Sequence, residues 1–168
     1  MAIYLALGAN LAHPVFGPPQ ATLAHASGAL ERRGVHVLAR SALYESPPMP
    51  PSGQPPYINA VIAVTTPLPA LALLHLVKEI ESQFGRVAAP RNAARVLDID
   101  IIDFDGLVQD SAELILPHPR LSERPFVLYP LQEIAPDWRS PASKQGIGAM
   151  IAALPQPARI IRLGPFPL

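Results

Sequence analysis

The chain of 168 residues contains no cysteine, has an aromatic content of only 6%, and carries no net charge. The absence of cysteine excludes a disulfide framework, a zinc–thiolate site and thiol chemistry. Thirteen basic residues balance thirteen acidic ones, so no global field attracts nucleic acid or an anionic membrane. We expect no nucleic-acid partner, and any anion-binding site must be local.

Long hydrophobic runs are also missing. The apolar stretch over 68–77 is interrupted by Pro69 and His75 and is far shorter than a membrane span. The first residues lack the basic segment of a signal peptide. We therefore expect no membrane association and a cytoplasmic location.

The composition is that of a folded chain, with 49% hydrophobic and 15% charged residues, which excludes global disorder. The length suits one domain over 1–168, with a loose tail at 164–168. The 22 prolines cluster without a period and predict stiff loops between elements.

The apolar patterns predict an α+β fold. Alternation predicts strands over 2–8, 35–44, 57–66 and 96–104, and helical spacing predicts helices over 18–33 and 68–85. This β-α-β-β-α-β order is ferredoxin-like, an antiparallel sheet with both helices on one face. Asp105-Gly106 predicts a hairpin turn into 107–109. A C-terminal helical appendage is expected, with helices over 126–134 and 146–154 and an edge strand over 159–163.

The most informative segment holds two aspartates, Asp98 and Asp100, on one predicted strand. Alternation places both carboxylates on the same face, about 6 to 7 Å apart. Like charges at that distance repel, and a divalent cation such as Mg²⁺ would offset the cost. The alternative is an exposed strand face on which Arg95 pairs with the aspartates.

Three arginines precede these aspartates in a loop of small residues, Arg86, Arg91 and Arg95. Guanidinium groups bind phosphate oxygens, so cations beside a metal pair suggest a polyphosphate. The alternative is a solvated loop. His118 lies between two prolines, a setting that suits a loop residue as well as a functional one.

Tyr57 and Asn59 begin a strand directly after the Pro-rich segment that follows Ser46. A carboxamide and an aromatic ring can recognise a flat heterocycle by hydrogen bonds and stacking. Asn59 could equally hold the loop in place.

Assembled in order, these segments resemble the hydroxymethyldihydropterin pyrophosphokinase family of the folate pathway. The resemblance covers about 130 residues, and its most specific motif is Arg-x-Leu-Asp-x-Asp followed by Pro-His and Arg-x-Phe. The matching segments are 7–11, 44–48, 57–60, 79–81, 85–86, 91–100, 117–120 and 124–136.

The resemblance implies transfer of the β,γ-diphosphate of ATP to the hydroxymethyl oxygen of 6-hydroxymethyl-7,8-dihydropterin, with release of AMP, by a monomer. It implies that two Mg²⁺ ions bind Asp98 and Asp100, which with Arg86 and Arg95 form the catalytic set. The implied nucleotide-binding residues are Glu81, Arg86, Arg91, Arg95, His118 and Arg124. The implied pterin pocket consists of Ser46, Pro47, Met49, Tyr57, Asn59 and Phe126.

The chain departs from the family pattern at Ala88, where a second arginine is common, and at Asn92-Ala93-Ala94, where Trp-Gly-Pro is common. A catalytically impaired pterin- or nucleotide-binding paralogue is therefore an alternative. A metal-dependent phosphohydrolase is another. A ferredoxin-like RNA-binding module would need exposed aromatics and a basic surface, which the composition does not favour.

Overall fold

A six-stranded antiparallel sheet organises the chain. The structure is a computed structural model that describes residues 2–48, 51–85 and 94–167. Its elements in chain order are β1 (Ile3–Ala9), α1 (Pro19–Arg32), β2 (His36–Arg40), β3 (Leu43–Ser46), β4 (Tyr57–Thr65), α2 (Ala70–Gln83), β5 (Asp98–Phe104), β6 (Gln109–Asp110), β7 (Ile115–Leu116), α3 (Pro125–Ile134), α4 (Ile147–Ala152) and β8 (Ile161–Gly164).

The two long helices begin and end where the sequence predicts. Pro18 and Pro69 precede the first turns of α1 and α2; a proline there loses no helical hydrogen bond, since its missing N–H would have no partner. Gly34 and Gly85 follow the helices with φ of 82° and 97°, a left-handed conformation that ends a helix and that glycine adopts without strain.

The sheet has the predicted antiparallel pairing and an order more elaborate than the ferredoxin-like expectation. The strands follow one another as β5-β1-β4-β3-β8, and β2 also pairs with β4. The predicted single strand over 35–44 is therefore two strands, which pair with different halves of β4. The break falls at Ser41, whose Oγ accepts a hydrogen bond from the Val61 amide and whose own amide donates to the Val61 carbonyl.

Both faces of the sheet are covered. Leu5 and Leu7 of β1 belong to a core that also contains the buried faces of α1 and α2. Tyr4 and Ala6 point to the opposite side and contact a second core, formed largely by α3 and α4. The C-terminal helices are therefore a second layer on the sheet, and the appendage prediction understated their role.

Two sequence predictions are wrong. The turn at Asp105-Gly106 forms, with Leu107 N–H donating to Phe104 O at 2.9 Å, but β6 then pairs with β7 and not with β5. The described part of the 164–168 tail is not loose: Gly164 ends β8, which pairs with β3, and Phe166 is buried in the first core. The contacts of β8 and Phe166 join distant parts of the chain, which the local pattern does not encode.

Every helix within the three described ranges is too short or too polar to cross a membrane.

Candidate active site

One row of residues crosses four strands near one end of the sheet. Asp98 of β5 is in register with Gly8 of β1, Gly8 with Asn59 of β4, and Asn59 with Tyr44 of β3. Paired residues in antiparallel strands have Cα atoms about 4.5 to 5.5 Å apart. The row therefore sets a predicted metal ligand two strands away from a predicted pterin-binding residue.

The predicted strand geometry of the aspartates is confirmed. Asp98 and Asp100 are half-buried. The residues that alternate with them, Ile99 and Ile101, are buried in the first core. Ile102 contacts the core beneath α3 and α4. Alternation thus directs both carboxylates to the face of the sheet that α3 covers.

Arg124, the residue before α3, reaches the second of these aspartates. Its Nη1 donates to Asp100 Oδ2 at 3.1 Å, and its guanidinium carbon lies 5.6 Å from the centre of the Phe126 ring. His118 Nε2 is 3.9 Å from the same Asp100 oxygen, which is too far for a hydrogen bond. The structure brings these four predicted residues, from different parts of the sequence, into one cluster.

His118 is neutral in this cluster at physiological pH. Its Nδ1 accepts a hydrogen bond from the Arg120 amide at 3.1 Å, so the ring cannot carry a proton there. Burial, with Arg124 as the next cause, lowers the pKa of His118 to about 4. A neutral imidazole can donate to a phosphate oxygen through Nε2.

Glu81 of α2 supports β5, the strand that carries both aspartates, from its open edge. β5 pairs only with β1 among the described strands, and Glu81 Oε2 accepts the amide N–H of Ile99 at 2.8 Å. Ile99 lies between the two aspartates in sequence. Glu81 thereby restrains the backbone that carries both carboxylates.

The sequence interpretation missed Asn10, which is 2% exposed and joins three segments. Its Oδ1 accepts the Arg95 amide at 2.8 Å, and its Nδ2 donates to Gln54 Oε1 and to the Pro55 carbonyl, each at 3.1 Å. Asn10 therefore connects the end of β1 to Arg95 and to the Pro-rich segment. Its position directly after the end of β1 was the available signal.

Two of the predicted pterin residues, Ser46 and Tyr57, lie beside a third, Asn59. Asn59 Nδ2 donates to Ser46 Oγ at 2.8 Å, and both side chains are buried. Tyr57 and Pro47, next to them in sequence, are half-buried, as is Phe126 at the start of α3. The arrangement has an amide, a hydroxyl and aromatic surfaces, the groups that recognise a flat polar heterocycle.

Several predicted positions lie outside the described residues. They are Met49 of the pterin set, Arg86 and Arg91 of the arginine loop, and the departures at Ala88, Asn92 and Ala93.

A cleft of about 760 Å³ adjoins the aspartates and His118. It lies between α2, β5 and the segment around β7, and it adds residues that sequence reasoning did not select. On α2, Leu74 and Lys78 stand four residues apart and share the cleft with Glu81, a helical spacing that could have identified them. The further unpredicted lining residues include Ser82, Ser111, Glu113, Leu114 and Ile115.

The donor set fits Mg²⁺ held together with substrate phosphates. Within the described ranges, no group of three or more His, Asp and Glu residues surrounds a common point, as an all-protein site would require. Asp98 and Asp100 supply two carboxylates beside an open cleft. Mg²⁺ typically takes one or two carboxylates and completes its shell with water and phosphate oxygens.

Comparison with known proteins identifies the family of this sequence. Residues 4–136 match the family model of 7,8-dihydro-6-hydroxymethylpterin-pyrophosphokinase. A 2-amino-4-hydroxy-6-hydroxymethyldihydropteridine pyrophosphokinase of Methylorubrum extorquens is 42% identical over 138 residues, which cover 80% of this chain and 82% of that protein. The Pseudomonas aeruginosa protein of the same name is 39% identical over 154 residues, 91% of each chain.

The fold also matches solved structures. The wild-type HPPK-DHPS protein of Plasmodium falciparum, crystallised with pteroate, superposes with a TM-score of 0.70 over 90% of this chain at 13% identity. This chain spans 44% of that structure, and the likeness at this identity concerns the fold alone. Taken with the sequence matches, these findings show that the chain belongs to the 7,8-dihydro-6-hydroxymethylpterin-pyrophosphokinase family.

Proposed function

We infer that this chain is a pyrophosphokinase that transfers the β,γ-diphosphate of ATP to the hydroxymethyl oxygen of 6-hydroxymethyl-7,8-dihydropterin in folate synthesis. The hydroxymethyl oxygen bonds to the β-phosphorus and releases its proton to water. The bond from that phosphorus to the α,β-bridging oxygen breaks, and AMP leaves with that oxygen and the bonding electron pair. The observation that carries the inference is the row Asp98–Gly8–Asn59, which sets a carboxylate and a carboxamide two strands apart on one face.

The nucleotide occupies the cleft beside β5 in this proposal. Arg124, together with Arg95, binds the phosphate oxygens by charge-assisted hydrogen bonds, and neutral His118 donates a further one. Glu81 holds the backbone of β5 through the Ile99 amide. Arg86 and Arg91 complete the expected nucleotide set, and the expected catalytic set is Arg86, Arg95, Asp98 and Asp100.

Asp98 and Asp100 would hold two Mg²⁺ ions, which when bound neutralise phosphate charge and favour attack on phosphorus. The pterin lies against Asn59, with Ser46 fixing the amide orientation. Tyr57 and Phe126 cover the ring, and Pro47 and Met49 complete the pocket. Catalysis then consists of positioning two substrates and stabilising charge, which requires no protein nucleophile.

We further propose that the chain works as a cytoplasmic monomer. Nothing in the described residues or in the comparisons favours the alternative of an impaired paralogue.

AMP formation from ATP tests the function. The reaction is run with and without hydroxymethyldihydropterin, in Mg²⁺ and in EDTA, for the wild type, for Asp98→Asn and for the matched control Asp137→Asn, an exposed aspartate near α4. We expect AMP only with both pterin and Mg²⁺, a loss of at least about 100-fold in Asp98→Asn, and wild-type rates in the control.

The other outcomes identify the alternatives. Phosphate release without pterin would indicate a phosphohydrolase. Pterin binding without AMP formation would indicate a binding paralogue.

A further inference from the structure

Gly8 occupies the middle of the row that joins the proposed metal and pterin subsites. It pairs with Asp98 on one side and Asn59 on the other, and it is buried. Glycine is a poor strand residue, since it loses the most conformational freedom on folding and offers no side chain to pack. A glycine within a strand that pairs on both sides therefore calls for a specific cause.

The backbone conformation does not supply that cause. Gly34 and Gly85 have φ of 82° and 97°, in the region that favours glycine, whereas Gly8 has no such φ and lies within the regular part of β1. Alanine could adopt the conformation of Gly8 without backbone strain.

The space beside Gly8 does supply a cause. A Cβ built on Gly8 would lie 3.2 Å from Asn59 Oδ1, and its next neighbours, Ile58 O and Tyr57 Cδ1, would be at 3.9 and 4.0 Å. Among the atoms of the described residues, the only tight contact is therefore with the amide oxygen of Asn59. Asn59 cannot retreat freely, because its Nδ2 donates to buried Ser46 Oγ at 2.8 Å.

We propose that Gly8 is a positioning residue for the pterin subsite: its missing side chain allows Asn59 to extend its Oδ1 over β1 while Nδ2 stays bonded to Ser46. Asn59 thus directs its acceptor into the gap between the pterin residues and Asp98. This inference rests on the proposed function, because it assigns to the oriented carboxamide the recognition of the pterin ring.

The test compares Gly8→Ala with Gly148→Ala, a glycine of α4 with no atom within 4 Å of an added Cβ. The readouts are the Kd for hydroxymethylpterin from ligand fluorescence, the Kd for a non-hydrolysable ATP analogue with Mg²⁺, and the Tm. In Gly8→Ala we expect about tenfold weaker pterin binding, the change that a net hydrogen bond of about 1.4 kcal/mol produces. Nucleotide affinity should stay within about twofold and the Tm within about 3 °C. Gly148→Ala should match the wild type in both affinities and have an equal or slightly higher Tm, since alanine favours a helix more than glycine does.

A double-mutant cycle with Asn59→Ala separates positioning from a general structural effect. If Gly8 acts through Asn59, Gly8→Ala causes no further loss of pterin affinity in the Asn59→Ala background. Additive losses would overturn the inference. It would also be overturned by an unchanged pterin Kd, or by parallel losses of pterin affinity, nucleotide affinity and Tm. A wild-type chain that binds no pterin would instead overturn the proposed function, and this inference with it.

Discussion

Arg124 donates from Nη1 to Asp100 Oδ2 at 3.1 Å, so a cation contacts the carboxylate for which the family resemblance implies Mg²⁺. Both side chains retain some exposure, 19% for Arg124 and 32% for Asp100. Solvent therefore screens the attraction between the two charges in part. In the proposed function, the arrival of metal and phosphates gives each partner a new counter-charge, and the pair separates.

Removal of this competing cation should strengthen metal binding in the absence of nucleotide. We expect Arg124→Ala to bind Mn²⁺ roughly threefold more tightly, the scale of an exposed pair that contributes under about 1 kcal/mol, while its KM for ATP rises at least about tenfold. Electron paramagnetic resonance of Mn²⁺ gives the affinity. Arg120→Ala is the control, because Arg120 pairs with Glu123 at 3.3 Å. Equal metal affinities in wild type and Arg124→Ala would contradict the competition.

Glu81 should contribute to stability as well as to the site. Its side chain is 5% exposed and accepts the Ile99 amide, so Glu81→Leu leaves that N–H without its acceptor, at a cost of about 1–3 kcal/mol. Glu81→Gln keeps a carbonyl oxygen and should lose less. Urea unfolding measures both, with exposed Glu79→Gln as control. If Glu81→Leu and Glu81→Gln lose equal free energies of unfolding, the hydrogen bond to the Ile99 amide is not the cause of the loss.

Glu133 should make stability depend on pH. Its Oε1 accepts the Ala42 amide at 2.9 Å, its Oε2 bonds Tyr44 Oη, and Arg162 Nη2 lies 3.3 Å from Oε1. Burial raises the pKa of Glu133, but these hydrogen bonds outweigh burial and hold its pKa below the usual value.

The direction in which stability changes with pH follows from proton uptake by the Glu133 carboxyl. As the pH falls below about 5, the unfolded carboxyl takes up a proton before the native one does, so the stabilisation present at neutral pH is lost as the pH passes through the lowered pKa. We expect Glu133→Gln to have a lower Tm at pH 7 and a smaller fall in Tm between pH 7 and pH 3.5. Calorimetry measures the Tm of this variant at both pH values, with Glu123→Gln as the control. If the Tm of Glu133→Gln falls as far as that of the wild type, Glu133 is not the source of the pH dependence.

The second core contains a buried pair that should matter for folding and not for substrate binding. Trp138 Nε1 donates to Asp103 Oδ2 at 2.9 Å, and the Gly106 amide donates to Asp103 Oδ1 at 2.9 Å. Asp103→Ala removes the acceptor of both hydrogen bonds, and we expect it to lower the free energy of unfolding by about 1–3 kcal/mol. Trp138 is the only tryptophan, so its fluorescence follows unfolding directly. A changed KM for ATP in Asp103→Ala would show that the pair acts on the site.

Phe166 should stabilise the first core although it stands two residues from the C-terminal end of β8. It is 8% exposed, and the Arg40 guanidinium carbon lies 5.8 Å from its ring centre. We expect Phe166→Ala to cost about 3 kcal/mol of unfolding free energy. Leu163→Ala, whose side chain is half exposed, should cost under about 1 kcal/mol. If Phe166→Ala lost as little unfolding free energy as Leu163→Ala, the tail would be loose as the sequence predicts.

The boundaries of α1 and α2 could be predicted because their signals are local. Proline before the first turn and a left-handed glycine after the last act within a few residues of the helix end. The strand face shared by Asp98 and Asp100 could be predicted for the same reason, since alternation is a property of a single strand. The resemblance then connected these aspartates with arginines, His118 and Asn59.

The sequence by itself thus determined the element types, the paired carboxylates and the family. Only the tertiary structure decided that Arg124 bonds Asp100, that Asn10 joins Arg95 to the Pro-rich segment, and that Gly8 lies between Asp98 and Asn59. It also decided that α3 and α4 cover the second face and that Phe166 is buried. These contacts join residues tens of positions apart, and strand register and packing, which no local pattern encodes, bring them together.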